Sequence, residues 1–234
     1  MSILAIASGK GGTGVTTLAI SLGASFVEHG LDTTLIDAHM SLPNVGIHLG
    51  TPNVPVGLQD ALDDPTKLND AVYHHAPSGL KVIPGLLALK HATQGKQRDL
   101  LKIPSLVASL SPQIVLDCAS GISQETLAAL AIADEVVVVT TPELPAIIDA
   151  LKLIKRCQAL KTPVKGVIIN RIGQHSHEIA ASNIQALLEV PVLASIPNDA
   201  HVSEAQAVRH PFTYSHPDCK ASQAMKKLAA LWIN

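Results

Sequence analysis

The stretch that decides the fold is "ILAIASGKGGTGVTT", residues 3–17, where a short apolar run passes into a glycine-rich turn and then into a helical pattern. Such a turn places backbone N–H groups and a helix N-terminus around one point, which favours a bound phosphate. The usual phosphate-loop pattern is Gly, four residues, Gly, Lys, then Ser or Thr. Gly9, Gly14 and Thr16 match this pattern, but Val15 stands where the lysine belongs. The stretch therefore predicts a phosphate site without its usual cation.

The rest of the chain alternates between two patterns. Short apolar runs typical of buried strands are followed by segments whose apolar residues recur at three- and four-residue spacing. Strands that are apolar on both faces fit a mostly parallel sheet covered by helices on both sides, so we expect one α/β domain over residues 1–234. The predicted strands are 3–7, 33–38, 80–85, 113–118, 135–141, 164–170 and 191–197, the predicted helices are 16–30, 97–110, 124–133, 145–160 and 177–190, and 50–57 and 211–217 are predicted loops.

Composition excludes several classes of function. Hydrophobic residues make up 47% of the chain but aromatic residues only 2%, which disfavours stacking platforms for single-stranded nucleic acid. A net charge of −2 gives no large field of either sign. Cys118, Cys157 and Cys219 form no closely spaced pair, which disfavours a cysteine metal cradle or a disulfide framework and indicates reduced thiols. With no leader and no apolar run long enough to span a bilayer, we expect a cytoplasmic protein.

The loop and the segments after it resemble the MinD/ParA family of P-loop ATPases, most closely its MinD-like branch. "GKGGTGVTT" is similar to the deviant phosphate loop of that family, whose signature lysine corresponds to Lys10. The resemblance implies a three-layer P-loop NTPase fold that binds ATP or ADP with Mg²⁺. It also implies a nucleotide-dependent homodimer, in which Lys10 reaches the nucleotide of the partner subunit.

Later segments match the family in the right order. "TTLIDAHMSLPNVGIHLG" resembles its second strand and first switch, "QIVLDCASG" its strand ending in an aspartate, and "VIINRI" its adenine-contacting segment. By this resemblance the nucleotide-binding residues are Gly9, Lys10, Gly11, Gly12, Thr13, Gly14, Val15, Thr16, Thr17, Asn170 and Arg171; the catalytic residues are Lys10, Asp37 and His39; the Mg²⁺ residues are Thr16, Asp37 and Asp117, partly through water; and the switch residues are Asn44 and Gly121.

Two departures from the family pattern bear on mechanism. Val15 removes the lysine that neutralises the β- and γ-phosphates. Losing one charge-assisted hydrogen bond costs about 1.5–3 kcal/mol, which a loop with many backbone donors can survive. Hydrolysis suffers more, because a cation acting on transition-state charge is worth on the order of 10³–10⁵ in rate. His39 replaces the second aspartate of D-x-D; it is either a base for the attacking water or a switch residue without chemistry.

Several other polar groups in the sequence have simpler explanations than a binding site. The pairs His74/His75 and His175/His177 lack the further ligands of a metal site, so we interpret them as surface residues. The basic residues between 152 and 165 fit a helix C-terminus better than a DNA-binding patch. The pattern over 221–232 predicts a closing helix packed on the sheet, with Ala221, Ala224, Met225, Leu228, Leu231 and Trp232 on its apolar face. A membrane-surface helix has the same pattern, which leaves open a peripheral position at the inner face of the cell membrane.

Two functional hypotheses follow. The first is a MinD-like ATP-binding switch that dimerises with nucleotide and acts in spatial positioning, either in cell division or in placing a surface or motility apparatus, with weak or absent hydrolysis. The second is a non-catalytic scaffold that pairs with an intact relative. Ordered motifs support the first hypothesis, and Val15 and His39 support the second. The sequence does not identify the partner protein.

Overall fold

The computed structural model describes residues 1–87 and 96–233. Its eight strands are β1 (Ser2–Ala7), β2 (Thr33–Asp37), β3 (Tyr73–His75), β4 (Leu80–Ile83), β5 (Gln113–Asp117), β6 (Glu135–Thr140), β7 (Val164–Ile172) and β8 (Val192–Pro197). They form one sheet in the order β3-β4-β2-β5-β1-β6-β7-β8. Every neighbouring pair is parallel except β3 with β4, which is antiparallel. The C-terminal ends of β1, β2, β5, β6 and β7 therefore meet at one edge.

Helices connect the strands. They are α1 (Val15–Glu28), α2 (Val45–His48), α3 (Leu58–Asp63), α4 (Leu68–Ala71), α5 (Ile103–Val107), α6 (Gln124–Ala131), α7 (Leu144–Leu160), α8 (Ala181–Leu188), α9 (Ala200–Ala207), α10 (Phe212–Ser215) and α11 (Lys220–Ala229), with 3₁₀ turns at Pro65–Lys67, Lys96–Lys102 and Ala230–Trp232. None of the helices in the described ranges combines the length and the apolarity needed to cross a bilayer.

The sheet separates two apolar cores, which confirms the predicted α/β class. One core holds Ile3 and Ile114 from the strands against α7, and the other holds Leu4 and Val115 against α1 and α11. Residues that alternate along β1 thus face opposite cores, as a strand buried on both sides requires. The scarcity of rings leaves Phe26 and Phe212 as the largest fully buried side chains.

All seven predicted strands are present, and the predicted helices near residues 16, 124 and 145 have nearly the expected bounds. The prediction was wrong in other places. Residues 97–110 form a 3₁₀ turn followed by the short helix α5, because Pro104 lies in the first turn of α5 and interrupts the preceding ladder. Helix α8 begins only at Ala181. The predicted loop 211–217 contains α10.

Helix α11 packs on the sheet as the apolar pattern predicted. Ala221, Met225 and Leu228 are buried in the same core as α1, and the Trp232 ring packs edge-on against Phe26 at 5.6 Å between centroids. Leu231 is an exception, because half of its surface is exposed. The 3₁₀ turn that ends the helix changes the angle between successive side chains and rotates Leu231 away from the core.

Candidate nucleotide site

The glycine-rich loop lies between β1 and α1, at the edge where the parallel strands end. Gly12 and Gly14 adopt φ angles of +81° and +96°, a region that L-residues with side chains rarely enter. Thr13 Oγ1 donates a hydrogen bond to the Lys10 carbonyl at 3.4 Å. A tight turn of this kind, followed at once by a helix N-terminus, is the backbone arrangement that binds phosphate.

Asn170, at the end of β7, holds the loop in place. Its Nδ2 donates to the Thr13 carbonyl at 2.7 Å, and its Oδ1 accepts from the Arg171 N–H at 2.9 Å. A Cβ at Gly14 would lie 2.5 Å from the same Nδ2 atom, so glycine is required there for a second reason. The structure thus gives Asn170 a positioning role, and the sequence prediction of an adenine contact stays a prediction.

A cavity of about 370 Å³ opens over the loop and the first turn of α1. It brings together many of the residues that the sequence predicted from distant segments. It also contains groups that sequence reasoning missed, among them Gln206, whose Nε2 donates to Thr17 Oγ1 at 2.7 Å. The predicted residues lining the cavity are Gly12, Gly14, Val15, Thr16, Thr17, His39, Asn44 and Arg171, and the additional ones are His48, Cys118, Ser120 and Gln206.

Two carboxylates are buried beside the loop. Asp37 and Asp117 end the neighbouring strands β2 and β5 in matching register, and both are almost completely inaccessible to solvent. Asp37 accepts backbone hydrogen bonds from His39, Asn44 and Val45 at 2.9–3.2 Å. In the described part of the chain, neither oxygen of Asp117 accepts a hydrogen bond of good geometry.

Burial controls the protonation of this pair. It raises the pKa of Asp37 to about 7, although backbone hydrogen bonds oppose the shift. Burial also raises the pKa of Asp117 well above its ordinary value, and the charge of Asp37 adds to the effect, while the Thr16 hydroxyl opposes it. Two unscreened carboxylates favour a shared proton or a cation.

These donors fit Mg²⁺. The ion prefers oxygen ligands and keeps several of its waters, so one or two carboxylates and a hydroxyl suffice. An unpartnered carboxylate oxygen on Asp117, with Asp37 and Thr16 beside it, is the environment that a divalent cation would stabilise. In that arrangement Asp117 and Thr16 would hold the hydrated ion, and Asp37 would orient its water and fix the switch segment that begins at Asn44.

Val15 occupies the lysine position as a core residue. Its side chain is 8% exposed and packs in the apolar core that contains Leu18 and Val139. The cavity wall is therefore apolar where a charged amine would reach the phosphates. Arg171 lines the same cavity and adopts a left-handed φ of 60°.

Lys10 points away from the core. Its Nζ lies 3.8 Å from Glu143 Oε2, and both side chains are about two-fifths exposed. Such a surface ion pair contributes at most about 1 kcal/mol, so Lys10 is available to another acceptor. Gly121, the other predicted switch residue, has a φ of +83° and donates its N–H to the Ser8 carbonyl at 2.8 Å.

His39 lies between the carboxylate pair and a third acid. Burial lowers the pKa of His39, and the nearby Glu125 opposes that shift, which leaves a mostly neutral imidazole at neutral pH. Glu125 itself is buried and accepts hydrogen bonds from both the N–H and the hydroxyl of Ser41, at 3.0 and 2.7 Å. It thereby fixes Ser41, three residues before the switch segment, a role that no local motif indicated.

The groups that the sequence analysis set aside have other partners. His75 hydrogen-bonds Ser78 and His210 at 2.7 and 3.0 Å, and His175 lies 3.7 Å from Glu143. The basic residues Lys152, Lys155 and Lys165 form ion pairs with acidic side chains of the chain itself. The interpretation of both sets as residues without a ligand stays a prediction.

Fold and site together define the class of protein. A mostly parallel α/β sheet carries a phosphate loop on its first strand, with buried aspartates at the ends of the neighbouring strand β5 and of β2, the next strand along. This combination is that of a P-loop nucleotide-binding protein.

Comparison with known proteins gives the family. Residues 4–212 match the CobQ/CobB/MinD/ParA nucleotide binding domain, and the chain belongs to this family. It is 37% identical to an uncharacterised ATP-binding protein of Methanocaldococcus jannaschii over 98% of this chain and 87% of that protein. It is 32% identical to the septum site-determining protein MinD of Synechocystis over 86% of this chain and 77% of the relative.

A solved structure agrees with the same assignment. The Pyrococcus horikoshii MinD in complex with Mg-ADP superposes with a TM-score of 0.93 at 29% identity, over 99% of this chain and 95% of that one. The resemblance to the MinD/ParA family and the P-loop NTPase fold that it implied are thus confirmed.

Proposed function

We propose that this protein binds ATP or ADP with Mg²⁺ as a single nucleotide-binding domain and acts as a MinD-like dimerisation switch in spatial positioning, with little or no hydrolysis. The observation that carries the proposal is the unpartnered buried carboxylate of Asp117 next to a well-formed phosphate loop. The structure of Pyrococcus horikoshii MinD complexed with Mg-ADP supports the choice of ligand.

Surface chemistry supports the dimer. Several large apolar side chains are exposed, and they lie in the segments that follow β2, β5 and β6, at the edge of the sheet that carries the phosphate loop. Lys10 is exposed at the same edge. A second subunit docked there would cover the apolar side chains and meet the Lys10 amine. The exposed residues are Leu42, Ile47, Ile122, Leu144 and Ile148.

A non-catalytic scaffold is the second candidate. The observation that favours it is the packing of Val15 into the core, which removes the phosphate-neutralising amine and places a branched apolar side chain on the cavity wall. Such a protein would pair with an intact relative whose own lysine and water-positioning acid perform the hydrolysis.

The proposal also concerns what the dimer binds: a partner protein, DNA or a membrane surface. The net charge of −2, with no large positive field, makes DNA a weaker candidate than a partner protein. The apolar face of α11 is buried, so a peripheral membrane contact would rest on Leu231 and Ile233, which are 50% and 39% exposed.

Calorimetric titration with ADP, ATP and a non-hydrolysable ATP analogue in excess Mg²⁺, with light scattering on the same samples, tests the proposal. We expect binding of all three ligands and a doubling of mass with the triphosphates alone. Binding without any change of mass would favour the scaffold. Absence of binding at millimolar nucleotide would overturn the switch and leave the non-catalytic scaffold.

A further inference from the structure

Three potential metal ligands from two segments converge outside the cavity over the phosphate loop. Asp199 and His201 lie at the start of α9, and Cys219 lies at the start of α11. Each offers one ligand atom, and these atoms all lie within 4.8 Å of one another. The group combines a carboxylate, an imidazole and a thiol, which is a mixture of donors that zinc accepts.

A second imidazole stands beside the group. The His216 ring lies 5.1 Å from the His201 ring between centroids, and its Nε2 is 3.4 Å from a Glu204 oxygen. Its other nitrogen, Nδ1, is 3.0 Å from the Ser215 hydroxyl, so His216 flanks the group, and the three converging ligands with one water make up the four that a tetrahedral ion needs. Half of the His201 side chain is exposed, so an ion can enter from solvent.

The distances suit a small tetrahedral ion. Ligand bonds of about 2.0–2.3 Å at the tetrahedral angle put pairs of ligand atoms about 3.3–3.8 Å apart. Asp199 Oδ1 and His201 Nδ1 are now 2.7 Å apart, at hydrogen-bond distance. Binding therefore requires these two atoms to separate slightly and the sulfur to approach, which changes of side-chain torsion can supply.

Existing contacts already orient the ligands. Partial burial works against ionisation of Asp199, but hydrogen bonds from the side chain and backbone of His201 and from the Ala221 N–H hold the pKa of this carboxyl below its ordinary value. The Cys219 sulfur accepts the Ser222 N–H at 3.4 Å. Asp199 and Cys219 thus cap α9 and α11. This structural role explains their backbone contacts, but it does not explain why an imidazole and a thiol lie at the same place.

We propose that Asp199, His201 and Cys219, with His216 beside them, form a zinc-binding site that joins the start of α9 to the start of α11. On binding, the thiol releases its proton to solvent, and the ion meets one thiolate, one carboxylate and neutral imidazole. Mg²⁺ does not compete, because it prefers an all-oxygen octahedral shell. None of the three ligands lines the proposed nucleotide cavity, although Gln206 of the same helix α9 does.

Cobalt titration of the full chain tests the proposal. With excess Mg²⁺ and no nucleotide, Co²⁺ should produce visible d–d bands and a thiolate-to-cobalt charge-transfer band that saturate at one ion per chain. Zn²⁺ should then displace the Co²⁺. Cys219→Ser should abolish the charge-transfer band, and His201→Asn should weaken binding on the order of 100-fold, at the upper end of the effect of losing a supporting group.

Two variants make the outcome decisive. Serine is among the best helix N-caps, so Cys219→Ser keeps the cap of α11 while removing the soft ligand. The control is the double variant His175→Asn, His177→Asn, which removes two exposed imidazoles elsewhere and should bind as the parent does. Zn²⁺ should raise the melting temperature of the parent and the control, but not of Cys219→Ser. Absence of the charge-transfer band, or equal binding by Cys219→Ser, would overturn the proposal.

Discussion

At the scale of single residues, Val15 decides how strongly phosphate is held. Restoring the missing amine with Val15→Lys should add a charge-assisted hydrogen bond worth about 1.5–3 kcal/mol, which is about one to two decades of ATP affinity. It should also raise the turnover rate, since the amine acts on charge that develops in the transition state. Calorimetry and phosphate release measure the two effects.

The matched control is Val15→Met, which introduces an uncharged, unbranched side chain of a length similar to that of lysine. Because Val15 is buried against the α1 core, both substitutions disturb packing to a comparable degree. An equal gain in affinity for lysine and methionine would mean that side-chain shape, not the missing charge, limits the site.

The second residue-scale prediction concerns the pair of buried aspartates and pH. The pKa of Asp37 is about 7 in the folded, ion-free protein, above its ordinary 3.8. The folded state therefore holds its proton at pH values where the unfolded state has lost it. The resulting stabilisation is complete below about pH 4 and is lost as the pH rises toward about 7.

Asp117→Asn should flatten this decline, because burial also raises the pKa of the Asp117 carboxyl, which therefore loses a proton on unfolding, whereas asparagine does not titrate. Urea unfolding in chelator at about pH 5.5 and 7.5 should show a loss for the parent on the order of 1–3 kcal/mol and a smaller loss for the variant. Asp70→Asn, at an exposed carboxylate, serves as the control. If the free energy of unfolding fell by the same amount in the parent and in Asp117→Asn, the buried Asp117 carboxyl would not contribute to the pH dependence.

At the scale of elements, the phosphate loop depends on a left-handed glycine. Gly14→Ala should lower both stability and nucleotide affinity, because φ is +96° and the added methyl would meet the Asn170 amide that fastens the loop to β7. The backbone conformation alone should lower the free energy of unfolding by about 1–2 kcal/mol. In addition, we expect at least a tenfold loss of ADP affinity by calorimetry.

Gly30→Ala separates strain from contact. Gly30 also has a positive φ, +84°, but a methyl there would meet no atom within 4 Å. This variant should be destabilised by about 1–2 kcal/mol in urea unfolding and should bind ADP as the parent does. Equal losses of affinity in the two variants would show that global stability, rather than loop geometry, controls binding.

Elements differ in how well the sequence predicted them, and the reason is physical. Helices α1 and α7 have long apolar stripes, and the buried strands have continuous apolar runs, so periodicity was sufficient. Strand β3 is only three residues long, polar and at the sheet edge, where pairing with β4 rather than burial forms it. Short α10 is likewise determined by tertiary contact, since Thr213 bonds the Ser21 carbonyl of α1 across the chain.

At the scale of the whole molecule, the contacts that the sequence indicated are those carried by a local motif or by the family resemblance. The phosphate loop follows from its glycine pattern and the two aspartates from the resemblance, and their binding of nucleotide and Mg²⁺ stays a prediction. The bonds from Asn170 to Thr13 and from Ser41 to Glu125 join residues 157 and 84 positions apart, and no local pattern indicates them. The converging ligands at Asp199 and Cys219 were missed for the same reason, because spacing rules search only short separations.

The last prediction concerns the proposed dimer. Lys10→Ala should leave ADP affinity within about threefold of the parent, because Lys10 contacts Glu143 rather than the cavity of its own chain. It should abolish the increase in mass with ATP analogue and Mg²⁺ in sedimentation velocity, since the amine meets its phosphate only across the subunit boundary. Lys102→Ala is the control, because Lys102 is an exposed lysine in an ion pair with Asp99 at 2.7 Å.

If Lys10→Ala dimerised as the parent does, Lys10 would not be the residue through which nucleotide joins the subunits. If it lost ADP binding as well, the lysine would serve its own chain, and the switch would need another link between nucleotide and assembly.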